Sequence, residues 1–68
     1  MAEFYIEKTA KDSGEHLIHF ANCSALPAET ELDYLGSIAS YDSAKSAGKA
    51  RFHAVNACTT CASKYADA

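Results

Sequence analysis

The chain has no tryptophan, one proline, three glycines and an odd number of cysteines, three, in 68 residues. Each scarcity excludes something. Three thiols cannot close a disulfide framework. So few glycines and prolines exclude a collagen-like or low-complexity chain. No apolar run approaches the length of a membrane span, and Met1-Ala2-Glu3-Phe4 offers neither the basic start nor the apolar stretch of a signal peptide. These features predict a reducing, cytoplasmic setting in which thiols stay available to a metal. Basic charge is also short: six lysines and arginines face nine acids, for a net charge of −3. General nucleic-acid binding draws its affinity from phosphate neutralisation, so an acidic chain is poorly suited to it.

Large apolar side chains are few as well. The hydrophobic fraction is 49%, but much of it is alanine. The length predicts one small domain over residues 1–68, with a core that gains from a staple such as a metal.

A candidate staple is present. His19 and Cys23 form an H-x3-C pair, and Cys58 and Cys61 form a C-x2-C pair near the other end. One imidazole and three thiolates make a complete tetrahedral donor set for Zn²⁺. The short C-x2-C loop lets both sulfurs address one ion. Four protein ligands leave no open position for water, so the predicted site is structural and not hydrolytic. His16 and His53 are the alternative imidazoles. A second reading treats Cys58 and Cys61 as a redox pair, although a thioredoxin-like pair is expected to follow a strand and open a helix. A third uses Lys45, Lys49 and Arg51 as a basic stripe for nucleic acid. Glu29, Glu31 and Asp33 form an acidic loop, and no nucleophile–base pair points to catalysis, so an enzyme is not expected.

The pattern of elements predicts an α+β fold, with a three-stranded antiparallel sheet packed on one main helix and a short C-terminal helix. Glu3 to Thr9 alternates as a strand. Asp12-Ser13-Gly14 provides a turn, and Glu15 to Phe20 returns, with apolar groups on both faces. Pro27 marks the following connection as a turn. Leu32 to Ile38 is the third strand, with Leu32, Tyr34 and Ile38 on one face and Gly36 as a bulge or close approach. Ser40 caps a helix whose apolar stripe is Tyr41, Ala44, Gly48, Phe52 and Val55, ending near Asn56. Gly48 in that stripe suggests close packing on the sheet. Cys61 to Tyr65 forms a last helical turn, and Asp67-Ala68 fray.

The same residues carry a resemblance. His19-x3-Cys23, Leu35-Gly36, Ser43-Ala44 at the helix start and Cys58-x2-Cys61 resemble the small zinc-binding domains of the Ada-like type, which also occur as tails on competence and nuclease proteins. With His16, Leu26, Pro27, Tyr34 and Ala44 added, the pattern is similar to that of small stand-alone bacterial proteins. The resemblance spans roughly residues 16 to 61 and implies an intracellular bacterial protein. The Ada repair domain itself uses four cysteines, one of them a nucleophile toward DNA phosphotriesters. A histidine stands at one of those positions here, so that chemistry is not implied. The expected role is an interaction or accessory module with an unknown protein partner.

Overall fold

A computed structural model describes residues 2–65, so the expected fraying of Asp67 and Ala68 lies outside the described residues. β1 (Ala2–Glu7) and β2 (His16–Phe20) form the expected hairpin, with Phe4 opposite Phe20, Tyr5 opposite His19 and Ile6 opposite Ile18. Gly14 takes a φ of +88° in the connecting turn, a conformation glycine adopts without a Cβ penalty.

β3 (Leu32–Ile38) lies antiparallel to β1 on its other side. Phe4 pairs with Gly36 but Tyr5 pairs with Tyr34, so Leu35 is the extra residue of a bulge. Gly36 beside it has a φ of +131°. The bulge changes which residues share a face. Leu32 and Tyr34 join the Tyr5–Glu7 side, whereas Leu35 and Ile38 pack against the core. The expectation that Leu32, Tyr34 and Ile38 share one face fails because strict alternation stops at the bulge.

Helix α1 spans Tyr41–Lys49. The Ser40 side chain accepts the backbone N–H of Ser43 at 3.3 Å, closing the first turn. Asp42 sits in that turn and Lys49 in the last, as the helix dipole favours. The helix stops at Lys49, short of the Asn56 expected from the apolar stripe. Val55–Ala57 is instead a fourth strand, β4, parallel to β2, with His16 paired to Val55 and Ile18 to Ala57. The sheet is therefore four-stranded and mixed, in the order β3-β1-β2-β4, and the predicted three-stranded antiparallel sheet is corrected to this.

The reason is a backbone requirement. The outer edge of β2 flanks buried Ile18 and His19, and its polar groups need partners. β4 provides them: the His16 N–H donates to the Ala54 carbonyl at 3.0 Å, and the Cys58 N–H to the Ile18 carbonyl at 2.9 Å. Because β3 and β2 both run against β1, β3 and β4 are parallel, and α1 crosses the sheet from one edge to the other.

α1 covers the face formed by Phe4, Ile6 and Ile18, joined by Tyr41, Ala44, Val55 and Ala57. Gly48 lies close against this face: a Cβ there would lie 3.1 Å from Ile6 Cδ1 and 3.3 Å from Ile18 Cδ1. The opposite face carries Tyr5, Glu7 and His19, as alternation along the strands requires. The 21–31 segment, ending in a 3-10 turn at Glu29–Glu31, lies over that second face. Another 3-10 turn, Ser63–Tyr65, ends the described chain and matches the expected short C-terminal helix in place.

Candidate metal centre

The second face is where the four predicted ligands meet. His19 comes from β2 and Cys23 from the turn that follows it. Cys58 comes directly after β4, and Cys61 from the turn beyond. The Cys23 N–H donates to the Phe20 carbonyl at 3.0 Å, folding the chain back after β2. The Ala62 N–H donates to the Cys58 carbonyl at 3.0 Å, folding it back after β4. One ligand atom from each of His19, Cys23, Cys58 and Cys61 lies within 4.8 Å of all the others. They are close enough to hold a metal ion.

β4 brings the two pairs together. Its pairing with β2 aligns Ile18 with Ala57, so His19 and Cys58 are the next residues along adjacent parallel strands. The C-x2-C motif thus follows a strand, not the helix that the sequence suggested.

The imidazole is held by a residue the sequence reading missed. His19 is buried, and its Nε2 lies 2.7 Å from Glu7 Oε2. A carboxylate accepts, so Nε2 carries the proton and donates. Nδ1 then holds the lone pair. It is buried and has no hydrogen-bond partner. A buried polar atom without a partner is costly, and a metal ion held among the four residues would supply one. Lys11 Nζ sits 3.3 Å from the other Glu7 oxygen, so a carboxylate–histidine pair of the kind that orients metal ligands is itself anchored. The signal for Glu7 was an acid on the same sheet face as His19, diagonally across the hairpin. It becomes legible only once the strand register is known.

Each sulfur accepts a backbone N–H at 3.4 Å: Cys23 from Ala25, Cys58 from Thr60 and Cys61 from Phe20. Such donors favour thiolate over thiol. Burial raises the Cys58 value, but the N–H groups of Cys61 and Thr60, with the contact from the Cys23 thiol, outweigh it and bring it down to about 7. For Cys61, burial dominates and pushes the thiol up to about 12, with the neighbouring thiols adding to the rise. All three cysteines are free thiols.

The alternative imidazoles are placed elsewhere. His16 Nδ1 donates to the Glu7 carbonyl at 2.8 Å, and its ring stacks on Phe52 at a centroid distance of 3.8 Å. His53 is exposed in the link between α1 and β4. Neither belongs to the cluster. Lys45 and Lys49 lie on α1, and Arg51 lies in the turn after it. Among the described residues no helix is long and apolar enough to cross a membrane.

Compared with known protein families, curated proteins and solved structures, the chain matches none.

Proposed function

We propose that the cluster holds one structural Zn²⁺ and that the domain is a cytoplasmic, zinc-clamped interaction or accessory module, not an enzyme. The observation that carries this reading is the buried, unpartnered Nδ1 of His19 in a group with three thiols. Distance supports zinc: two sulfurs on a tetrahedral zinc, each about 2.3 Å from it, lie about 3.8 Å apart, and Cys23 Sγ and Cys58 Sγ are 3.8 Å apart. Soft thiolates with one imidazole also suit zinc better than magnesium or calcium.

Zinc here would tie the end of β2 to the end of β4, joining the hairpin to the last-added strand. It would also neutralise thiolate charge in a buried place. The group supplies folding free energy, and Glu7 sets the tautomer that presents Nδ1 to it.

A redox role for Cys58 and Cys61 is supported by their proximity, since their sulfurs lie within 4.8 Å of each other, and by the N–H donors that lower the Cys58 thiol value. Native mass spectrometry of protein made without a metal-binding tag separates the two readings. One zinc per chain supports the clamp. A metal-free chain lighter by two hydrogens supports the redox pair and contradicts the clamp.

A further inference from the structure

The sheet face that carries His19 extends past the metal centre into a groove. Its floor is Tyr5 and Leu32, its wall is Leu26 and Pro27 from the 21–31 segment, and Ala21 closes one end. It encloses about 290 Å³, room for one or two apolar side chains. The one charged residue lining it is Glu29. Tyr34 continues the floor outward, its ring 5.3 Å from that of Tyr5. Tyr34 is 47% exposed, and its hydroxyl donates to Glu3 Oε1 at 3.1 Å. The surface is therefore an apolar slot with a carboxylate in its wall, followed by a paired tyrosine shelf with a second carboxylate fixed at its outer edge. Lys8, the cation nearest in sequence, is committed at 4.0 Å to Asp33.

We propose that this groove is the interaction site of the module and takes an extended segment of a partner protein in which an aliphatic side chain is flanked two residues away on each side by arginine, so that all three face the groove. The aliphatic group fits the slot between Tyr5, Leu26 and Leu32. One arginine lies along the exposed ring of Tyr34, where a guanidinium stacks well, and meets Glu3. A second arginine meets Glu29. Charge selects the partner: carboxylates without a lysine or arginine on the lining attract a basic segment and repel an acidic one. The tyrosine pair selects arginine over lysine, since only a planar cation both stacks and pairs with a carboxylate.

The site is built on the clamp. Ala21 lies between the ligands His19 and Cys23, and the Leu26 N–H donates to the Cys23 carbonyl at 3.3 Å. The metal therefore fixes the wall of the groove, and binding should depend on it. The proposal rests on the accessory-module reading for its purpose, but its geometry is read separately.

The test is a ¹H–¹⁵N NMR titration of the full chain, with zinc content measured on the same sample. One probe is the peptide acetyl-Arg-Ala-Leu-Ala-Arg-amide, the other its counterpart with glutamate in place of arginine. The proposal expects saturable shifts at Tyr5, Ala21, Leu32 and Tyr34 with the basic peptide and none with the acidic one. The double variant Glu3→Gln with Glu29→Gln, both changed at exposed positions, should fold normally and bind about tenfold more weakly. Silence with both peptides, equal shifts with both, or unchanged affinity of the double variant would each overturn it. A zinc-poor sample counts against the clamp, whereas a zinc-loaded but silent sample counts against the groove, so the two failures are distinct.

Discussion

Glu7 and His19 are partners across the hairpin, with Nε2 of the buried imidazole donating to a carboxylate oxygen 2.7 Å away. The consequence is a fixed tautomer. Nδ1 is left as the atom with a free lone pair, and it has no hydrogen-bond partner. Glu7 would thereby act on a metal held at Nδ1 without touching it. Glu7→Leu removes the acceptor and should weaken zinc binding by about 10- to 100-fold. Glu7→Gln keeps an oxygen that can accept the same N–H and should recover part of that loss. Competition against a chelator of known affinity measures both. Equal affinity for Glu7→Leu and the parent would separate Glu7 from the site.

The three histidines differ in role. His19→Ala should abolish zinc binding or reduce it to a weak three-thiolate site. His53→Ala should leave the zinc stoichiometry unchanged, because His53 is exposed and away from the cluster. His16→Ala should also retain zinc, while losing the stack on Phe52 and the bond to the Glu7 carbonyl. That loss should cost about 1–2 kcal/mol of stability. Elemental analysis and thermal melting of the three variants test this together.

That these four residues come together was legible in the sequence because metal chemistry constrains residue type and local spacing so tightly. His19-x3-Cys23 and Cys58-x2-Cys61 can be seen without knowing the fold. The hairpin, its glycine turn and the Ser40 cap were legible for a similar reason, being local. β4 was not. Val55-Asn56-Ala57 is too short to show a strand period, and Phe52 and Val55 continue the helical stripe of Tyr41, Ala44 and Gly48. The strand exists because β2 needs an edge partner, which is a tertiary demand. Glu7 was missed for the same kind of reason. Its relation to His19 comes from register, and the Leu35 bulge that turns Tyr34 to the outer face likewise comes from pairing, not composition.

Gly48 shows how that packing constrains sequence. In an exposed helix interior, Gly→Ala gains about 1 kcal/mol. Here the added methyl would meet Ile6, Ile18 and Val55, the first two fully buried. Overpacking costs about 1–3 kcal/mol, so Gly48→Ala should not stabilise the domain and should lose up to about 2 kcal/mol. Denaturant unfolding measures it. A clear gain in stability would mean that the helix sits farther from the sheet.

Protons would compete with a bound zinc for the thiolates. Cys61, at about 12, must lose a proton to bind zinc at any ordinary pH, whereas Cys58, at about 7, must do so only in more acidic solution. Each proton displaced makes affinity fall about tenfold per pH unit on acidification. The slope of log affinity against pH should therefore steepen by about one unit on passing downward through pH 7. A slope constant from pH 8 to pH 6 would contradict the low Cys58 value.

The central claim is that His19, Cys23, Cys58 and Cys61 form one closed zinc site, and X-ray absorption at the zinc edge tests it most directly. The account predicts one zinc with three sulfurs at about 2.3 Å and one nitrogen at about 2.0 Å. A shell of oxygen and nitrogen without sulfur, or a chain purified from zinc-replete cells that carries no zinc, would contradict it.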